Sequence, residues 1–254
     1  MIKIIKNPEV KLSIPSFSCD NNSVGEHLMN HPLTSLLNVY GFLIVIGRPG
    51  SGKTSLAISL ITQKKPKIYR KCMHHILVVM PKNSIASLKK NPFKVLSDEN
   101  IYHELDNETI DNIYNKIDNF SKNDEKTILF VDDMTADLKK SKFIIDTFKK
   151  LVFNRRHLKL NIIITSQSYV NIPLDLRKNA QSLIMFKPPK KEMEICFHEL
   201  FETKKDNFMD VMRLAYDKPH NFLFLNVPSQ RLFKNWDELI INDDSSDEEE
   251  IELK

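Results

Sequence analysis

Apolar residues along the chain follow two spacings. Short continuous runs, Phe42 to Ile46, His75 to Met80, Thr127 to Val131, Leu160 to Thr165 and Ser182 to Phe186, are bounded by polar or turn-forming residues and read as buried strands. Between them, Gly52 to Thr62, Asn107 to Phe120 and Ala136 to Arg155 carry apolar residues three and four apart, the spacing of an amphipathic helix. This alternation, from about residue 42 onward, predicts an α/β fold with a mostly parallel central sheet flanked by helices. The crossovers are long enough for βαβ units.

The flanks are less regular. Segment 81–100, with Pro81, Asn83, Asn91 and Pro92, reads as an irregular surface connection. Lys190 to Tyr216 has a helical spacing and Asn221 to Phe233 a strand-like one. The expected plan is an N-terminal extension over 1–40, with two short strand-like pieces and an amphipathic one, and a core over 41–187. A helical and strand extension over 188–242 is expected to pack on that core, followed by an acidic tail over 243–254. The tail is expected to be disordered. No internal repeat is present.

Composition narrows the class. With 254 residues, 41% hydrophobic and 28% charged, the chain can bury a sizeable core and is neither collagenous nor wholly disordered. Its longest near-continuous apolar stretch, Val39 to Ile46, falls short of the roughly 20 residues of a membrane-spanning helix. The N-terminus alternates Lys with Ile and meets Pro8, unlike a secretory signal, so an intracellular protein without a transmembrane segment is expected. Cys19, Cys72 and Cys196 are scattered and odd in number, which argues against a disulfide framework and a zinc site. The formal charge of +4 hides an asymmetry: 7 acids lie in the tail, and residues 1–242 hold 36 Lys and Arg against 26 Asp and Glu. A basic body is compatible with a nucleic-acid partner and equally with an ordinary lysine-rich surface.

Three motifs carry chemistry. Gly47-Arg48-Pro49-Gly50-Ser51-Gly52-Lys53-Thr54, followed by Ser55, fits GxxxxGK[ST] and sits directly between a strand and a helix. Glycines let the backbone wrap phosphate oxygens, and amides at the helix start face the anion. Lys53 adds a charge toward the β and γ phosphates, and the Thr54 hydroxyl can ligate Mg²⁺. In the second motif, Ile128 to Asp133, an apolar strand ends in two carboxylates. Asp132 would hold Mg²⁺ through its water shell, and Asp133 could polarise the attacking water. The third, Asn161 to Gln167, is an apolar strand ending in uncharged polar groups, where Gln167 could orient water or sense hydrolysis. Arginine is scarce, so Arg155 and Arg156 are candidate arginine fingers for a neighbouring subunit, with Arg177 as the other candidate. An ordinary salt bridge or a DNA phosphate contact is the competing use of each.

The segments GRPGSGKTS, ILFVDD, NRRHLKLNIIITSQSY and IPLDLRKNAQSLIMF resemble the genome-packaging ATPases of large nucleocytoplasmic DNA viruses, the poxvirus-type family within the FtsK and HerA class. The resemblance runs from about Gly41 to Phe186. It implies a P-loop NTPase of the RecA-like additional-strand (ASCE) fold, with the strand ending at Gln167 between the P-loop and acidic strands. It further implies ATP and Mg²⁺ as cofactors and a homo-oligomeric ring, pentamer or hexamer, that drives double-stranded DNA into a preformed capsid. A capsid or inner-membrane component would anchor it, in the host cytoplasm at the viral factory or in the virion. Carried over by residue, it assigns Lys53 and Thr54 to phosphate and Mg²⁺, Asp132 to Mg²⁺, Asp133 to the water-polarising role and Gln167 to the sensor. One departure is Asp133, where many relatives of the wider class have Glu.

Other readings share parts of this set. A related DNA helicase or translocase would use the same catalytic residues, and a P-loop small-molecule kinase would also use Lys53. A scaffold that binds ATP without turnover would need only the loop. No nuclease is evident after Phe186. The acidic tail, with Ser245 and Ser246, could dock a partner, mimic DNA or merely solubilise the chain.

Overall fold

The computed structural model describes residues 37, 40–64, 68–70, 72–89, 91–201 and 205–240. The expected strand-like pieces of 1–36, Cys19 and the acidic tail lie outside the described residues.

In chain order the strands are β1 (Phe42–Ile46), β2 (His75–Val79), β3 (Ile101–Tyr102), β4 (Thr127–Asp132), β5 (Leu160–Ser166), β6 (Ser182–Phe186), β7 (Phe222–Asn226), β8 (Arg231–Lys234) and β9 (Asp237–Leu239). The helices are α1 (Lys53–Thr62), α2 (Lys82–Ala86), α3 (Asn107–Lys122), α4 (Lys142–Phe153), α5 (Leu174–Arg177), α6 (Lys190–Leu200) and α7 (Lys205–Ala215). All described strands join one sheet in the order β3-β2-β4-β5-β1-β6-β7-β8-β9. The first six in that order run parallel, and β7, β8 and β9 continue the sheet antiparallel from β6. As the resemblance implies, β5 lies between the P-loop strand β1 and the acidic strand β4.

Strand periodicity sorts the core into two layers, since successive side chains point to opposite faces. Phe42, Ile44, Ile46, Leu129, Val131, Ile162 and Ile164 meet Ile113 and Ile117 of α3, Phe148 of α4 and Phe197 of α6 on one face. Leu43, Val45, Ile128, Phe130 and Ile163 meet Ala57, Leu60 and Ile61 of α1 on the other. Each such aliphatic side chain, fully buried, contributes about 1.5–3 kcal/mol. With both faces covered, β1, β4 and β5 are buried at every position, which is why they read as continuous apolar runs.

Several expectations are refined. The helix read over Ala136 to Arg155 divides into a 3-10 turn, Asp137–Lys139, and α4. Ser141 separates them: its hydroxyl accepts from the Ile144 amide (3.2 Å) and donates to Asn107 (2.6 Å), capping α4 and tying it to α3. The helical stretch after Lys190 becomes α6 and α7, and the strand-like stretch after Asn221 becomes two strands with a third beyond. Segment 81–100 holds α2 and two 3-10 turns, Pro92–Val95 and Asp98–Asn100, where an irregular connection was expected.

Candidate active site

Strand register creates the site. Val45 and Asp132 both align with Thr165, so β1, β5 and β4 end side by side and release the glycine loop, Gln167 and Asp133 at one edge. Gly47 donates its amide to the Ser166 carbonyl (3.0 Å), which fixes the start of the loop against β5. Gly50 (φ 77°) and Gly52 (φ 105°) occupy the left-handed region that favours glycine. Gly47 has little room for a side chain, because a Cβ there would lie 2.2 Å from Ser51 Oγ and 3.1 Å from Phe186 Cβ. Gly52 is also the N-cap of α1 and no side chain caps the helix, which leaves its first amides to face an anion.

A hydrogen-bonded chain runs from the loop across the strand ends. Thr54 Oγ1 donates to Asp132 Oδ1 (2.8 Å), and Thr165 Oγ1 donates to the same oxygen (2.7 Å). The Thr165 hydroxyl in turn accepts from the Asp133 amide (3.0 Å), and Gln167 Nε2 donates to Asp133 Oδ2 (2.6 Å). Asp133 has a left-handed backbone (φ 56°), which an Asp tolerates better than most residues and which turns the chain off β4. Lys53, 7% exposed, and Asp132, 2% exposed, are both buried. Burial holds the Asp132 carboxyl above its ordinary pKa, against the opposing pull of the two hydroxyl donors and the Lys53 charge.

The donor set suits a hard cation. Asp132 is a buried carboxylate with incomplete compensation, and the Thr54 hydroxyl oxygen lies beside it. No group of three or more His, Cys, Asp or Glu able to hold a metal occurs among the described residues. That combination fits Mg²⁺, which typically takes one or two protein oxygens and completes its shell with water and substrate phosphates.

Beside the loop, toward β6 and β7, lie two adjoining cavities of about 500 and 560 Å³. Both are bounded by Gly50, Ser51, Phe186 and His220; Arg48, Pro49 and Lys187 line the first, and Lys53, Thr54 and Ser55 the second. His220 Nδ1 donates to the Ser51 carbonyl (3.0 Å), so the turn before β7 braces the glycine loop. His220 and Thr165 escape a reading of motifs. The available signals are the turn-forming run Asp217 to Asn221 and the switch from aliphatic to hydroxyl residues at Thr165 and Ser166.

The arginines lie elsewhere. Arg155 and Arg156 precede β5, at the end of the parallel strands opposite the loop, roughly 20 Å away by strand length. Arg155 donates to the Val152 carbonyl (2.7 Å) and to Gln181 Oε1 (3.4 Å), and its pKa is lowered by burial and by neighbouring Arg156. Arg156 is the more exposed of the two. Arg177, 8% exposed, is an internal anchor: it pairs with Glu199 (2.7 Å) and its guanidinium sits 4.8 Å from the Tyr169 ring centroid. Burial and these internal partners hold the guanidinium within its own fold, which corrects its candidacy as a finger for a neighbouring subunit.

A glycine loop between strand and helix, with β5 inserted between the loop strand and the acidic strand, defines a P-loop NTPase of the additional-strand class. Within that class, the chain belongs to the family described as Poxvirus A32 protein, whose model matches residues 30–254. Among solved structures it is similar to the DNA-packaging ATPase B204 from Sulfolobus turreted icosahedral virus, with 20% identity, TM-score 0.60, and 81% of this chain and 100% of that chain covered. It is also similar to the genome packaging NTPase B204 from Sulfolobus turreted icosahedral virus 2 in complex with AMPPCP, with 19% identity, TM-score 0.56, and 80% and 100% covered. The cytoplasmic domain of the Thermomonospora curvata type VII secretion ATPase EccC aligns at 14% identity and TM-score 0.52, over 81% of this chain and 25% of that one. At such identities the likeness establishes a common fold. No curated protein matches the chain significantly.

Proposed function

We propose that this chain is an ATP-hydrolysing motor that moves viral double-stranded DNA into a preformed capsid. The carrying observation is the continuous chain of hydrogen bonds Thr54–Asp132–Thr165–Asp133–Gln167 beside an uncapped helix start and a buried Lys53. Membership of the poxvirus A32 family and a fold shared with packaging ATPases support the substrate and the setting.

In this reading the amides of Gly50 to Lys53 and the Lys53 ammonium hold the β and γ phosphates. Thr54 would ligate Mg²⁺ directly and Asp132 would hold it through its water shell; the ion would supply positive charge to offset the negative charge growing on the phosphate oxygens. Asp133 accepts a hydrogen bond from the attacking water as its oxygen bonds to the γ-phosphorus and the bond to the β–γ bridging oxygen breaks. Gln167, bonded to Asp133 Oδ2, fixes which carboxylate oxygen faces the water.

Arg155 and Arg156 are too far from their own loop to act there, so any finger role is toward a neighbouring copy in a pentameric or hexameric ring. A capsid or inner-membrane packaging component would anchor the motor, in the viral factory or the virion. No helix among the described residues is long and apolar enough to cross a membrane.

Purified protein tests this directly. ATP turnover stimulated by double-stranded DNA and reduced about 10³-fold in Lys53→Ala is expected. Turnover indifferent to DNA, or equal in the variant, would overturn the motor reading. For the fingers, Arg156→Ala subunits mixed with Lys53→Ala subunits separate the two defects. A finger in trans predicts activity restored at mixed interfaces; a mixture as inactive as its components removes Arg156.

A further inference from the structure

Gln167 is exposed and stands at the start of a turn, so something must hold that turn still. The holding groups come from α6. Glu192 grips the turn with both carboxylate oxygens: Oε1 accepts from Ser168 Oγ (2.7 Å) and Oε2 from the Tyr169 amide (2.8 Å). Two helical turns further, on the same face, Glu199 Oε2 accepts from the Tyr169 hydroxyl (2.8 Å). Tyr169 is fully buried, and Arg177 closes over it, pairing with Glu199 (2.7 Å) and donating to the Tyr169 carbonyl (3.5 Å). Ser166 completes the turn from the β5 side, its hydroxyl donating to the Ser168 carbonyl (2.9 Å).

This arrangement exceeds what packing needs. A buried tyrosine is satisfied by one partner for its hydroxyl, and Glu199 supplies it. Glu192 adds a charge-assisted bidentate grip on backbone and side chain immediately after Gln167. Its place in the first turn of α6 lets the helix dipole favour the carboxylate.

We propose that Glu192 is a positioning residue for hydrolysis: through Ser168 and Tyr169 it fixes the Gln167 amide on Asp133 and ties that contact to α6. The inference rests on the ATPase reading above. It separates Glu192, which acts through Gln167, from Glu199 and Arg177, which anchor Tyr169 in the core.

Kinetics and hydrogen exchange on the full chain decide it. In Glu192→Ala, kcat for ATP should fall about 10- to 100-fold while KM and nucleotide affinity hold, because displacing a reacting group costs rate without uniform binding. Glu192→Gln can still accept from the Tyr169 amide and donate to Ser168, so it should recover most of the rate. In a Gln167→Ala background, Glu192→Ala should cost no further kcat, the non-additivity expected of residues acting as one unit. Additive losses, or a fall in stability with kcat unchanged, would overturn the proposal. Amide hydrogen exchange at Tyr169 supplies a readout without turnover. Faster exchange in Glu192→Ala is expected, and unchanged exchange would dispose of the grip. Absence of turnover in the unaltered protein would instead sink the ATPase reading, and with it any role for Glu192 in hydrolysis, while exchange still reported on the grip.

Discussion

The two ends of β5 are built from similar residues and do different work. At its start, the amide side chain of Asn161 accepts from the Gly41 amide (2.9 Å) and closes the entrance of β1. At its end, the Thr165 hydroxyl bridges Asp132 and the Asp133 amide, and the exposed Gln167 reaches the Asp133 carboxylate. Both ends satisfy backbone amides that flank the neighbouring strands. Only at the far end does the satisfied group adjoin a glycine loop and a buried lysine. A polar residue in a central strand therefore acquires a chemical role from the strand end it occupies, since parallel strands place all their carboxyl ends at one edge.

The sharpest way to break this contrast is at Asp132. Burial raises its carboxyl pKa, so the folded chain binds that proton more tightly than the unfolded chain does. The associated stability is present at low pH and is lost as pH rises through the raised value. At neutral pH the ionised group costs stability. Asp132→Asn keeps an oxygen for both hydroxyl donors and removes the charge. It should raise the melting temperature of the nucleotide-free protein by a few degrees at neutral pH, a gain that shrinks on acidification. It should also lower Mg²⁺-dependent turnover about 10³-fold. A variant that is less stable at neutral pH would show that Asp132 holds the strand ends together, as Asn161 does at the other end.

Thr165→Val comes next. It keeps the shape, removes a donor to Asp132 and leaves the Asp133 amide with the longer bond to the Thr165 carbonyl (3.3 Å). Turnover should fall about 10- to 100-fold, as for other groups that orient a metal-binding carboxylate. Stability should fall by about 0.5–1.5 kcal/mol, because the part-buried Asp133 amide loses one acceptor and keeps the other. Loss of stability alone, measured by denaturant titration beside steady-state kinetics, would make the two ends of β5 equivalent.

These contrasts also mark what is legible in the residues alone. β1 and β6 are legible to their ends because both are buried at every position, β1 bounded by glycines and β6 by polar residues. The glycine loop is legible because its groups are contiguous. β3 is two residues long and carries no periodicity to detect. The division at Ser141 is masked because Leu138 and Ile144 both face the core and keep the apolar pattern going across the break. That β7 pairs with β6 is a long-range choice with no local signature. The Thr165–Asp132 bond joins residues 33 apart in the chain, and the Glu192 grip joins residues 23 and 24 apart. Motifs show groups adjacent in sequence, whereas these groups become adjacent only through strand register and helix placement.

The smallest effect is expected at the structural end. Asn161 is 1% exposed, and its second contact is a weak donation from Nδ2 to Met73 Sδ (3.6 Å). Asn161→Ala leaves the buried Gly41 amide without its acceptor, a loss of about 1–3 kcal/mol. Nothing in that contact touches the loop, the acids or Gln167, which lie at the opposite end of a strand that stays fully paired on both sides. The variant should therefore melt earlier with kcat and KM for ATP unchanged when both are measured well below the transition. A matched fall in kcat at that temperature would mean that the entrance of β1 sets the position of the glycine loop at its exit. The two ends of the sheet would then be one mechanical unit, and the division of labour along β5 would fail.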